Sequence, residues 1–119
     1  MNIYVCCDSG NTSKYFAECL GKECETETLV FNIKDITKQD FDSYNNILAY
    51  GPSTYLLKRD KAFIEAFDMI ILAPQVRHKG DLIRGLYAKR NIKVKDIDML
   101  TFATMDGKAA WKDILNGER

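Results

Sequence analysis

Apolar positions come in short runs separated by amphipathic stretches, and the spacing within each stretch decides its element. Ile3 to Cys6 is a short apolar run followed by Asp8-Ser9-Gly10-Asn11-Thr12-Ser13, a cluster of turn and capping residues, which reads as strand then loop. Beyond it Tyr15, Phe16, Cys19 and Leu20 recur near the 3.6-residue period, so a helix follows, with Thr12 or Ser13 as its N-cap. Thr28 to Ile33 is rich in β-branched and aromatic residues and predicts a second strand. Asn46 to Tyr50 is a weaker strand candidate stopped by Gly51-Pro52, and Phe63-Ile64 with Ala66-Phe67 suggests a helical turn.

Met69 to Ala73 is continuously apolar and ends at Pro74, the pattern of a strand buried on both faces. Leu82, Ile83, Leu86 and Tyr87 predict a helix ending near Arg90-Asn91. Ile92 to Ile97 alternates as an edge strand with one face in solvent would, and Ala109, Ala110, Trp111, Ile114 and Leu115 form a closing helix after Gly107. Strands alternating with helices predict an α/β fold: a parallel sheet between two helical layers, with four strands, or five if Asn46 to Tyr50 is also one.

Composition narrows the functional classes. A chain of 119 residues suits one domain, residues 1–119, and 46% hydrophobic residues supply a core. The 17 basic and 17 acidic residues balance, so nothing favours nucleic acid. No apolar run is long enough to span a bilayer, and no charged segment precedes the first strand, so a cytoplasmic protein is expected. Four cysteines, Cys6, Cys7, Cys19 and Cys24, without a CxxC pair and with a single His, argue against both a disulfide framework and a zinc site. No metal or cofactor is expected.

That leaves the thiols as candidate chemistry. In an open α/β sheet ligands gather at the carboxyl ends of the strands, where strand order reverses, and Cys7 has that address. The helix N-terminus after its loop favours both a thiolate and a phosphate. Ser9, Thr12 and Ser13 offer hydroxyls and Gly10 admits close backbone approach. Cys6, facing the other way, reads as core. Asp8 works against the site, since a carboxylate disfavours a neighbouring thiolate and repels a dianion. The bland readings are a packed Cys7 and a merely capping loop.

Cys7-Asp8-Ser9-Gly10-Asn11-Thr12-Ser13 resembles the phosphocysteine loop of the IIB proteins of the lactose, cellobiose and chitobiose branch of the bacterial sugar phosphotransferase system. More specifically, Ile70-Ile71-Leu72-Ala73-Pro74-Gln75-Val76-Arg77 is similar to that family's strand-end signature. Ile97-Asp98-Met99 and Thr104-Met105-Asp106-Gly107-Lys108 resemble the segment leading to its last helix. The resemblance implies a three-layer sandwich with strand order 2-1-3-4 and the phosphocysteine loop after the first strand. It implies that Cys7 takes a phosphoryl group from a IIA phosphohistidine protein and passes it to a sugar, a disaccharide by subgroup, held by a IIC membrane permease that draws the carrier to the inner face of the membrane. Asp8, Ser9, Gly10, Asn11, Thr12 and Ser13 would form the phosphate loop, and Gln75, Val76, Arg77 and His78 would border the partner surface. Two departures stand out: Asp8 replaces a small neutral residue, and residues 51–67 are longer than usual.

Three rivals remain on the residues. A cysteine phosphatase needs an Arg six positions after the Cys, where this chain has Ser13. A flavodoxin-type FMN module matches Ser9-Gly10-Asn11-Thr12 and Tyr50-Gly51-Pro52-Ser53-Thr54-Tyr55, and requires the fifth strand. A regulatory domain that has lost transfer would accommodate Asp8.

Overall fold

A computed structural model describes residues 1–7, 11–23, 29–44, 46–58, 65–87 and 90–117. Its centre is β1 (Asn2–Cys7), whose residues Ile3 to Cys7 are all buried. Side chains alternate along a strand, so Ile3, Val5 and Cys7 enter one core and Tyr4 and Cys6 the other. On one side β1 pairs in parallel with β3 (Ile47–Pro52), which in turn pairs with β2 (Leu29–Asn32). On the other it pairs with β4 (Met69–Leu72), and β4 pairs with β5 (Lys93–Asp96). The sheet is five-stranded and all-parallel in the order β2-β3-β1-β4-β5.

Helices cover both faces. α1 (Asn11–Gly21), α5 (Met99–Ala103) and α6 (Gly107–Gly117) set Phe16, Ala17, Leu20, Phe102, Ala110 and Ile114 against Ile3, Val5 and Cys7. On the opposite face lie α2 (Lys38–Ser43), α3 (Thr54–Lys58), a 3-10 helix (Pro74–Lys79) and α4 (Gly80–Tyr87). From these elements Phe41, Leu56, Val76, Ile83 and Tyr87 pack with Tyr4, Cys6, Ile70 and Leu72. The face follows the direction of travel: the chain leaves β1 for the β2 edge along the first face, then returns across the sheet along the second. Right-handed crossovers impose that pairing of direction with face.

The α/β class, the parallel sheet and the relative order of the four firm strands agree with the sequence, and the fifth strand allowed for at Asn46 to Tyr50 is present. The order 2-1-3-4 becomes 2-3-1-4-5, because the segment from Ile47 is a full strand inserted between the first two. Gly51-Pro52 reads as a stop, yet β3 runs through both residues. Backbone alternation turns the Pro52 nitrogen toward β2, whose last pairing is Asn32 with Tyr50, so the missing N–H breaks no ladder bond. The Pro52 carbonyl on that side accepts a hydrogen bond from Tyr4 Oη at 2.8 Å. A side chain at Gly51 would collide with Ile33 and lie 3.0 Å from Tyr4 Oη, which only glycine avoids.

Smaller expectations are also corrected. α1 begins at Asn11, so Thr12 and Ser13 lie within its first turn rather than capping it. Edge strand β5 begins at exposed Lys93, as an edge strand with a solvent face would, and its next three residues are half-covered. Val94 packs on the core, Lys95 pairs with Asp113 of α6 at 3.4 Å, and Asp96 pairs with Arg84 of α4 at 3.0 Å. Asn91 is left-handed at φ 57°, as expected of an Asn ending a helical segment. The helical turn proposed around Phe63 and Ile64 lies outside the described residues. No helix among the described residues is long and apolar enough to cross a membrane.

α6 meets α1 through Gly107, where an added Cβ would strike the Cys19 carbonyl and lie 2.7 Å from its carbon. Backbone cannot yield as a flexible side chain can. Gly107→Ala is expected to cost at least as much as Gly51→Ala, with each losing about 1–3 kcal/mol in denaturant unfolding.

Candidate functional site

The site is built from the end of β1 outward. The Cys6 carbonyl accepts the Ala73 N–H at 2.9 Å, from the β4 side, and the Cys7 carbonyl accepts the Ser53 N–H at 3.0 Å, from the β3 side. The last two residues of β1 are thus clamped from both flanks, and the connection to α1 departs from a fixed point. Here also the topology switches faces: the chain leaves β1 along one face of the sheet, whereas the chain after β3 and after β4 leaves along the other. Such a divergence opens a crevice at the carboxyl ends of the strands, where ligands of open α/β sheets bind.

Cys7 projects into the core under α1 and is 2% exposed, while Cys6 is fully buried on the opposite face, as the alternation predicts. Neither is in a disulfide. Asp8, Ser9 and Gly10 lie outside the described residues. Asn11 starts α1, Thr12 is half-buried, and Ser13 is fully buried, turned into the protein from the first helical turn.

Of the four residues assigned to a partner surface, Gln75, Arg77 and His78 are exposed, but Val76 is not. It is fully buried among Leu56, Leu72 and Ile83, because the turn of the 3-10 helix after Pro74 aims this one apolar side chain inward. Val76 is a packing residue. Thr12 and Gln75 do come together: both line a cavity of about 410 Å³ whose other walls include Pro74, Met99, Phe102 and Met105. Among the described residues no group of His, Cys, Asp and Glu is placed to hold a metal ion.

Three further residues shape this end of the sheet. Ser53 is fully buried, and its Oγ accepts a hydrogen bond from Lys79 Nζ at 3.1 Å. Tyr4 caps Pro52, and burial, reinforced by nearby Cys6, Tyr55, Cys7 and Tyr87, pushes its phenol well above its ordinary value. Lys79 continues the run of basic residue types begun by Arg77 and His78, the one hint of it in the sequence. Nothing local links Ser53 to a lysine 26 residues away.

A comparison with models of known protein families gives no match, and none of the curated proteins is similar enough to the chain to match.

Tyr4 yields a pH test. Its neutral form is favoured by the fold, so its contribution is complete below the unfolded value of about 10. It declines as pH rises further, while the unfolded chain ionises and native Tyr4 does not. Tyr4→Phe is expected to lose about 1 kcal/mol at neutral pH with the Pro52 hydrogen bond. Its unfolding free energy should then fall less steeply than wild type above pH ~10, by up to about 1.4 kcal/mol per pH unit. Parallel slopes in denaturant titrations would show that Tyr4 is not the group responsible.

Proposed function

We propose that the chain is a phosphoryl carrier of the IIB type, with Cys7 as the atom-bearing residue. The observation that carries the reading is the position of Cys7: the last residue of the central strand, at the switch of faces, four residues before α1 begins at Asn11. The Cys7 thiolate attacks the phosphorus of a IIA phosphohistidine. The S–P bond forms as the N–P bond breaks, and the imidazole nitrogen leaves with the electron pair and takes up a proton. A hydroxyl of a sugar held by a IIC permease then attacks the same phosphorus and gives up its proton to solvent, the O–P bond forms as the S–P bond breaks, and the sulfur leaves with the electron pair as the thiolate. This reaction depends on alignment and on stabilising charge at the equatorial oxygens, a task for backbone N–H groups and hydroxyls of residues 8–13. Docking on the permease would hold the carrier at the inner face of the membrane.

The burial of Cys7 adds a condition. A phosphoryl dianion has no place among Val5, Phe16 and Ala17, so the side chain must turn toward the carboxyl end of the sheet when it accepts the group. A cysteine that only packs would show the same burial, and labelling separates the two. The flavodoxin-type alternative gains its fifth strand but not its order. In that fold, as in the carrier order 2-1-3-4, β1 is the direct neighbour of β2, whereas here β3 lies between them, so strand order favours neither reading. A yellow protein as purified would favour flavin, and a colourless one the carrier.

Incubation with a phosphorylated IIA protein of the lactose or cellobiose type is expected to add one acid-stable, thiol-linked phosphate, read by intact mass and peptide mapping. Cys7→Ser should abolish it and Cys6→Ser should retain it. Phosphate that persists on Cys7→Ser ends this assignment.

A further inference from the structure

Lys79 stands at the last position of the 3-10 helix that follows β4, and its ammonium reaches Ser53, the residue that follows β3. β3 and β4 are the two neighbours of β1 and do not touch each other. The Lys79 side chain therefore links the segment after β4 to the segment after β3, beside the end of β1 that lies between them. The 3-10 helix supports this placement by packing against β1 as well as β4, with Val76 beneath it in the core. Lys79 Nζ thus bonds to Ser53, whose own N–H holds the carbonyl of Cys7. Its position is fixed by a fully buried partner, unlike that of a lysine in open solvent, and Arg77 and His78 stand exposed on the same turn.

We propose that Lys79 is the anion-positioning residue of this site, a cation held beside the carboxyl end of β1 that steadies negative charge brought to Cys7. The identity of the anion as a phosphoryl group rests on the carrier reading, but the charge itself does not. The same lysine also answers the difficulty posed by Asp8. A carboxylate next in sequence to the thiol disfavours both thiolate and phosphoryl dianion, and a fixed cation at the same strand end offsets it. An ammonium held in a partly buried setting is screened less than one in water, so it acts on charge brought to the end of β1.

The test reads charge at Cys7 without any phosphoryl donor. Cys7 is alkylated in parallel by iodoacetate, an anion, and iodoacetamide, its neutral counterpart, and modification is assigned by peptide mass spectrometry. Whatever motion exposes the thiol is common to both reagents and cancels in the ratio of their rates. Lys79→Gln is expected to lower the iodoacetate to iodoacetamide ratio at Cys7 by about threefold or more at low ionic strength. Lys79→Arg should stay near wild type, and the ratio at Cys19 should not move. An unchanged ratio in Lys79→Gln overturns the proposal, as does an equal fall in Lys79→Gln and Lys79→Arg, which would report shape rather than charge. If Cys7 fails to take phosphate from a IIA donor while the ratio still falls, the carrier reading is lost and the anion-positioning lysine stands.

Discussion

The two hydrogen bonds that seize the end of β1 from opposite sides are the constraint on which the rest of the site depends. Ala73 N–H holds the Cys6 carbonyl and Ser53 N–H holds the Cys7 carbonyl. Because successive carbonyls of a strand point to opposite neighbours, this double clamp exists only where the strand is flanked on both sides through its last residue. β1 meets that condition because β3 continues through Gly51 and Pro52. Had β3 stopped at Tyr50, the Cys7 carbonyl would have lost its neighbour. The connection to α1 would then start from a loose end.

The same continuation requires a glycine and recruits a tyrosine. Gly51 leaves room for Ile33, and Tyr4 reaches across to the Pro52 carbonyl. Tyr4 belongs to β1 and Pro52 to β3, so the bond ties the two strands on the face opposite Cys7. A buried tyrosine needs a partner for its hydroxyl. Here the demand is met by a carbonyl that lies beyond the pairing of β2. Two polar groups left over by the ladder satisfy each other.

What the sequence revealed and what it hid divide along physical lines. Met69 to Leu72 was legible because a strand buried on both faces has to be continuously apolar, and Cys6 and Cys7 were separable because the period of a strand is two. β3 was obscured because Gly and Pro are local breakers, and only the register with β2 shows that neither breaks anything here. α2, α3 and α5 span five or six residues each, too few to express a helical period. Val76 stood in a polar run, Gln75 to Lys79, and one apolar side chain there does not reveal which way a 3-10 turn aims it. Ser53 and Lys79 could not be paired at all, since their contact exists only once β3 and β4 flank β1.

Under the carrier reading Cys7 faces contradictory demands, and separate parts of this strand end would meet them. The thiol is apolar enough to rest among Val5, Phe16 and Ala17 when it bears nothing. The phosphorylated side chain carries a dianion that this core would exclude at a cost of several kcal/mol. On that reading transfer would be a change of side, in which the backbone of Cys7 stays clamped while its side chain leaves one environment for the other. Only the side chain needs to move, because both clamping bonds are to main-chain carbonyls and neither involves sulfur. A cation at the destination makes the outward position favourable only when negative charge is present. Under the carrier reading, Lys79 and the apolar core therefore act as opposite poles of one equilibrium, with the load on the sulfur deciding which prevails.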